Sequence, residues 1–247
     1  MLRDPDFTMT QNRPVVILIG GGHASGKSTM AQILKEELLS SIGDASLKIE
    51  LINMANYEDC TPTKAYYSTR TAALMNNLEL QYPPLKPSRF NFAELIGRIK
   101  QTKVQSNEKM VYIVYGLYAL YDRDLCDLSH MKIFLIGDPD TRLIRWIRRD
   151  VLDASPKVSL EFVLTFYLQR ARAEMEDFIY PTKEFADVIL PPEADRNAVQ
   201  LVVDGLMSFI WSPMQKDIFY DNYFRPAHNF LDINRLIEQS NKYYELA

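Results

Sequence analysis

Val15-Val16-Ile17-Leu18-Ile19-Gly20-Gly21-Gly22-His23-Ala24-Ser25-Gly26-Lys27-Ser28 is the stretch that decides how this chain reads. Its first five residues form an apolar run of the kind that makes a buried strand. Gly21 to Ser28 then spell G-x-x-x-x-G-K-[ST], and a helical pattern follows from Thr29 to Leu39. Strand, glycine-rich loop and helix in that order make an anion cradle. Glycines let successive backbone N–H groups turn inward, and the first helical turn adds unpaired N–H groups and the positive end of its dipole. In this pattern Lys27 reaches β- and γ-phosphates, and the Ser28 hydroxyl ligates Mg2+. The candidate phosphate-binding residues are therefore Gly21, Gly22, His23, Ala24, Ser25, Gly26, Lys27, Ser28 and Thr29. Two readings of His23 stay open: a phosphate contact, or a filler of the loop.

Outward from the loop, strand and helix patterns alternate. Leu47 to Met54 reads as a strand, Asn56 to Thr63 as a polar loop and Ala65 to Leu80 as a helix. Gln81 to Ser88 holds Pro83, Pro84 and Pro87 and must be irregular. Phe92 to Thr102 is helical; Met110 to Tyr115 and Lys132 to Ile136 are strands; a helix starts at Thr141. Ser159 to Phe178 reads as one long amphipathic helix with Ser159 as its N-cap. Asp187 to Leu190 is a short strand, stopped by Pro191-Pro192, and Asn197 to Ile210 is a helix. Such alternation predicts an α/β domain of three αβα layers around a parallel sheet, over residues 14–210. A polar tail, 1–13, precedes it. An aromatic and partly helical extension, 211–247, follows and is expected to pack on the core or on a second subunit.

The chain has 247 residues, 47% of them hydrophobic, and a formal net charge of -4. That balance offers no electrostatic argument for nucleic acid or an anionic membrane as the main partner. The cysteines, Cys60 and Cys126, lie far apart and outside any C-x-x-C spacing, which suits a reduced cytoplasmic protein. Met1 to Pro14 lacks an apolar signal core, and no apolar run is long enough for a bilayer.

Four later stretches complete a pattern. They are Gly116-Leu117-Tyr118-Ala119-Leu120-Tyr121-Asp122-Arg123-Asp124-Leu125, Met131-Lys132-Ile133-Phe134-Leu135, Asp140-Thr141-Arg142-Leu143-Ile144-Arg145 with Arg149-Asp150, and Tyr180-Pro181-Thr182-Lys183-Glu184-Phe185-Ala186-Asp187-Val188-Ile189-Leu190-Pro191. Taken with the loop, in this order, they resemble the uridine–cytidine kinases among the P-loop nucleoside kinases. The resemblance implies a P-loop NTPase-type fold, ATP and Mg2+ as cofactors, and phosphorylation of a pyrimidine nucleoside at its ribose 5′-hydroxyl. It also implies that the helix bearing Arg142, Arg145 and Arg149 leads into a lid over the phosphates, with those residues at i, i+3 and i+7 on one face. It places the loop from Pro192 to Arg196 beside the adenine. A homo-oligomer is compatible with it, although family tetramers use a β-hairpin for which Gln101 to Lys109 has no room.

The departures concern the acceptor. The resembling kinases carry an aspartate after the second strand, where this chain has Ala55, and a glutamate just before the glycine that follows the third, where it has Tyr115. An alanine can neither accept a proton nor orient a hydroxyl. Glu58 and Asp59 lie just beyond Ala55 and are the candidates to stand in, beside Lys27, Arg142 and Arg145, as catalytic groups. Three outcomes stay open: a nucleoside kinase with a rebuilt acceptor site, a kinase of another small hydroxyl substrate, or an ATP-binding protein that no longer transfers phosphate and has a regulatory or scaffolding role.

Overall fold

A computed structural model of the chain describes residues 14–42, 47–58, 86–102, 109–155, 158–191 and 196–211. The opening apolar run forms β1 (Val15–Gly21), buried at every position. Its alternating side chains feed two cores: Val15, Ile17 and Ile19 on one face, Val16 and Leu18 on the other. A strand covered on both faces has no use for polar alternation, which is why the run is uniformly apolar.

β1 lies in the middle of a five-stranded sheet of order β2-β3-β1-β4-β5. The other strands are β2 (Leu47–Asn53), β3 (Lys109–Tyr115), β4 (Met131–Leu135) and β5 (Val188–Leu190), and every pairing is parallel. One face is covered by α1 (Lys27–Ile42) and α6 (Arg196–Trp211). They contribute Met30, Ala31, Leu34 and Leu38, and Val199, Val202, Val203, Leu206 and Ile210. Against the other face pack α2 (Phe92–Gln101), through Leu95 and Ile99, and α3 (Arg123–Leu128), through Leu125. The result is the expected three-layer P-loop NTPase-type α/β fold.

Two more helices reach over the carboxyl ends of the strands. α4 (Pro139–Ile147) continues as a π turn over Arg148–Leu152. α5 (Leu160–Phe166) starts at Ser159, whose hydroxyl accepts from Phe162 N at 3.2 Å. Its helical path runs on through π turns at Tyr167–Ala171 and Met175–Ile179, with one α turn, Arg172–Glu174, between them. The helix expected over Ser159 to Phe178 is therefore present but wound wide in two places. Such bulges gather at functional sites.

The register brings Asn53 and Ile19 alongside Tyr115, and Gly21 alongside Leu135. β2 ends one residue earlier than expected because the Asn53 side chain caps a 3-10 helix, Met54–Tyr57, accepting from Ala55 N at 3.0 Å. Met54 and Tyr57 are buried, so the polar loop expected from Asn56 begins as packed structure. At the end of β3, Gly116 donates to the Ile19 carbonyl at 3.1 Å. A Cβ at Gly116 would lie 2.4 Å from Met54 Cβ, so only glycine lets the two strand ends close together. The helix expected over 65–80 and the extension after 211 lie outside the described residues.

Candidate phosphate-binding site

The loop between β1 and α1 is built on left-handed backbone. Gly21 and Gly26 have φ of +139 and +89, and Ala24, with φ 54, is in the left-handed region without the freedom of a glycine. Ser25 is fully buried and its N–H reaches the Gly22 carbonyl at 3.3 Å. The turn into α1 is closed by Met30 N on Gly26 O at 2.9 Å. Ser28 and Thr29 stand exposed in the first helical turn.

Three cations converge here. Lys27 Nζ donates to the Gly22 carbonyl at 2.6 Å and lies 3.4 Å from Ser25 Oγ. Its pKa is pushed down to about 7, by burial first and then by the positive charges of Arg142 and Arg149. Arg142 is buried, with its Nε on the Gly137 carbonyl at 3.0 Å. Burial pulls its guanidinium below the ordinary value, while Tyr167 and Asp138 act the other way. The guanidinium lies directly over Gly22: a Cβ there would sit 2.5 Å from Arg142 Nη1 and 2.7 Å from Met175 Sδ. Arg149 is exposed and gripped by Asp150, Nε to Oδ1 at 2.6 Å and Nη2 to Oδ2 at 2.9 Å. Arg145 is half-buried on the same helix.

The other expected residues are placed as follows. Glu58 is paired with Arg89 Nη2 at 2.8 Å, and its backbone bridges to Phe90. That holds it beyond the carboxyl end of β2, on the strand side where the loop lies. Arg196 opens α6 with a side chain 90% exposed, 3.6 Å from Glu37 of α1. Asp59 and Pro192 lie outside the described residues.

His23 takes a place that spacing alone did not show. Its ring stacks on Trp146 of α4, centroids 4.8 Å apart and planes inclined by 17°, and meets Phe166 of α5 edge-on at 6.4 Å. His23 Nε2 lies 3.6 Å from Glu174 Oε2, and Glu174 is itself buried. Burial is the largest influence on His23 and lowers its pKa; Lys27 and Arg142 lower it too, and Glu174 raises it. Sequence reasoning missed Glu174 altogether. The available signal was a carboxylate in the helical stretch that follows α5, beside the stripe that buries Ala171, Met175 and Ile179.

The donor set suits a polyphosphate. Backbone N–H groups, the Lys27 side chain and the Arg142 guanidinium lie together at the loop, Arg149 is near enough to act on Lys27, and the repulsion that helps depress Lys27 is what bound anions relieve. Mg2+ has a thinner set of partners. Among the described residues no cluster of three or more His, Cys, Asp or Glu could hold a metal. The ends of β2 and β3 offer Asn53 and Tyr115. The exposed Ser28 hydroxyl fits an ion that arrives with its phosphates and keeps several waters, as Mg2+ does. Among the described residues no helix is long and apolar enough to cross a membrane.

Comparison with known proteins agrees with this geometry. The phosphoribulokinase / uridine kinase family profile matches residues 88–199, and the zeta toxin profile matches residues 1–50. Uridine kinase of Bacillus pumilus is 30% identical over 210 residues, covering 82% of this chain and 98% of its own. Uridine kinase of Lactococcus lactis subsp. cremoris is 32% identical over 187 residues, covering 72% and 88%. DAS2 of Saccharomyces cerevisiae, named as a candidate uridine kinase, is 27% identical over 244 residues, 98% of this chain and 100% of its own. That last alignment runs past residue 211, so the C-terminal stretch is not peculiar to this chain. The crystal structure of a Silicibacter sp. TM1040 protein, named as a candidate fructose transport system kinase, shares the fold: TM-score 0.50, 22% identity, 76% of this chain and 93% of the other. The chain belongs to the phosphoribulokinase / uridine kinase family and is a divergent uridine kinase-like P-loop kinase.

Proposed function

We propose that this protein transfers the terminal phosphoryl group of ATP to a hydroxyl of a small acceptor, a nucleoside before other classes, at a rebuilt acceptor site. The observation that carries the reading is the convergence of Lys27, Arg142 and Arg149 on one glycine-rich loop. Phosphoryl transfer asks a protein chiefly to neutralise charge and to align two oxygens. Lys27 and the loop N–H groups bind the phosphates. Arg142, fixed over Gly22, holds charge close to the loop without moving. Arg149 can leave Asp150 and fold over bound phosphates, because it is exposed on a helix that already faces them. Ser28 would hold Mg2+, and the ion would supply further charge neutralisation. The relatives named as uridine kinases support a nucleoside acceptor, with uridine and cytidine first on the panel.

On the acceptor side Glu58 is the described carboxylate past Ala55, and Asp59 is its neighbour in sequence. Glu58 orients or deprotonates the hydroxyl if it exchanges Arg89 for substrate. A second reading, ATP binding without transfer, is favoured by Ala55, in the 3-10 turn after β2, and Tyr115, at the end of β3, where the family resemblance places carboxylates. One experiment separates them: incubation with Mg-ATP and a panel of nucleosides, with product followed by mass spectrometry. A nucleoside monophosphate above the Lys27→Ala background supports transfer. Tight ATP binding with no product on any acceptor supports the second reading.

A further inference from the structure

The phosphate loop contains a strained residue and, next to it, an anchored one. Ala24 has φ 54, a conformation that costs an alanine more than a glycine and persists only where the surroundings enforce it. On one side Ser25 is buried and tied to Gly22 at 3.3 Å. On the other is His23, whose ring is stacked on Trp146 and set edge-on to Phe166; those two rings meet each other at 5.7 Å and 69°. Trp146 and Phe166 are 2% and 0% exposed, so this three-ring cluster cannot shift without opening the packing between α4 and α5. Glu174 closes the fourth side at 3.6 Å from Nε2.

We propose that His23 is a positioning residue: packed against both Trp146 and Phe166 and facing Glu174, it holds Ala24 in the left-handed region and so keeps the loop amides aimed at phosphate. This rests on the reading of the loop as a nucleotide site. The same cluster ties the loop to the arginine helix. Trp146 Nε1 donates to Asp150 Oδ2 at 2.7 Å, and Asp150 grips Arg149. An aliphatic filler would occupy the volume; the ring adds a planar stack and a polar edge turned to a carboxylate. A mere filler predicts no link between residue 23 and the backbone of residue 24, and that link is what the test measures.

The test compares wild type, His23→Ala, His23→Gln and His23→Ala combined with Ala24→Gly. Mg-ATP affinity is measured by calorimetry, and the 13Cα and 13Cβ shifts of Ala24, which report its backbone conformation, are measured without nucleotide. The expected result is an affinity loss of roughly tenfold in His23→Ala and His23→Gln. Ala24→Gly should recover most of it, because glycine enters the left-handed region freely. In His23→Gln the Ala24 shifts should move away from left-handed values. His23→Gln carries the measurement if His23→Ala does not fold. Wild-type affinity in both single variants overturns the proposal, and so does a loss that Ala24→Gly fails to recover. If wild type itself does not bind Mg-ATP, the nucleotide reading fails instead. Positioning is then judged from the spectra alone: unmoved Ala24 shifts overturn it and displaced ones uphold it.

Discussion

Lys27 Nζ hydrogen-bonds to the carbonyl oxygen of Gly22 at 2.6 Å, so the cation of the loop folds back onto the loop's own backbone. It does so beside Arg142 and Arg149, and burial together with these like charges pushes its pKa down to about 7 from 10.5. Holding the charged lysine therefore opposes folding. The penalty is full below about 7 and fades as pH rises toward 10.5, because there the unfolded chain binds more protons than the native one. Denaturant melts of the ligand-free protein should show stability climbing over that window. Lys27→Met should flatten the climb, and an equal slope in both proteins would contradict the assignment.

Bound phosphates reverse the same balance. At pH 8 the binding of Mg-ATP should return a proton to Lys27. Calorimetry in buffers of different ionisation heat should give a slope that indicates proton uptake, absent in Lys27→Ala. That variant should also lose roughly 1.5–3 kcal/mol of binding free energy, the range of charged hydrogen bonds.

Two glycines should respond differently to an added methyl group. At Gly22 the clash is with Arg142 Nη1, 2.5 Å away, and Met175 Sδ, 2.7 Å away, both at ends of flexible side chains. Gly22→Ala should fold with a small change in Tm but bind Mg-ATP about tenfold more weakly, because Arg142 is displaced. At Gly116 the clash is with Met54 Cβ at 2.4 Å, which sits on backbone and cannot step aside. Gly116→Ala should lose roughly 1–3 kcal/mol of stability, the usual penalty of overpacking. Thermal melts and ATP titrations on both variants give the contrast directly.

The Glu58–Arg89 pair, 2.8 Å apart, allows the acceptor side to be probed separately. If Glu58 serves the acceptor hydroxyl, Glu58→Gln should lower kcat by about 100-fold, within the usual contribution of a general base, while the Kd for Mg-ATP stays unchanged. Steady-state kinetics on the acceptor found by the panel, with ATP titrations alongside, would show it. Unchanged kcat would remove Glu58 from the chemistry and leave Asp59 as the carboxylate to test.

Strand positions are legible to within two residues, because burial on both faces writes itself as apolar runs; the widest difference is β1, which runs past Ile19 to Gly21. β4 is the instructive slip. Ile136 is hydrophobic and reads as part of the strand, but the strand ends at Leu135 and Ile136 only adds a bond to Leu190, N to O at 2.9 Å. The π turns after Phe166 left no mark in the sequence, since an amphipathic stripe looks the same for a helix wound slightly wider. Glu174 escaped notice because a lone acid in a helix is ordinarily solvent-facing.

The sequence by itself determined the phosphate loop, the strand that feeds it and the helix that leaves it. All of that rests on local requirements, namely backbone conformation, peptide hydrogen bonds and alternating burial. Tertiary structure alone decided that Arg142 lies over Gly22, that His23 packs against Trp146 and Phe166 with Glu174 at its edge, and that Glu58 is held by Arg89. Those relationships join residues far apart in the chain, and they exist only because α4 and α5 pack over the carboxyl ends of the strands, where no local pattern records which side chains will meet.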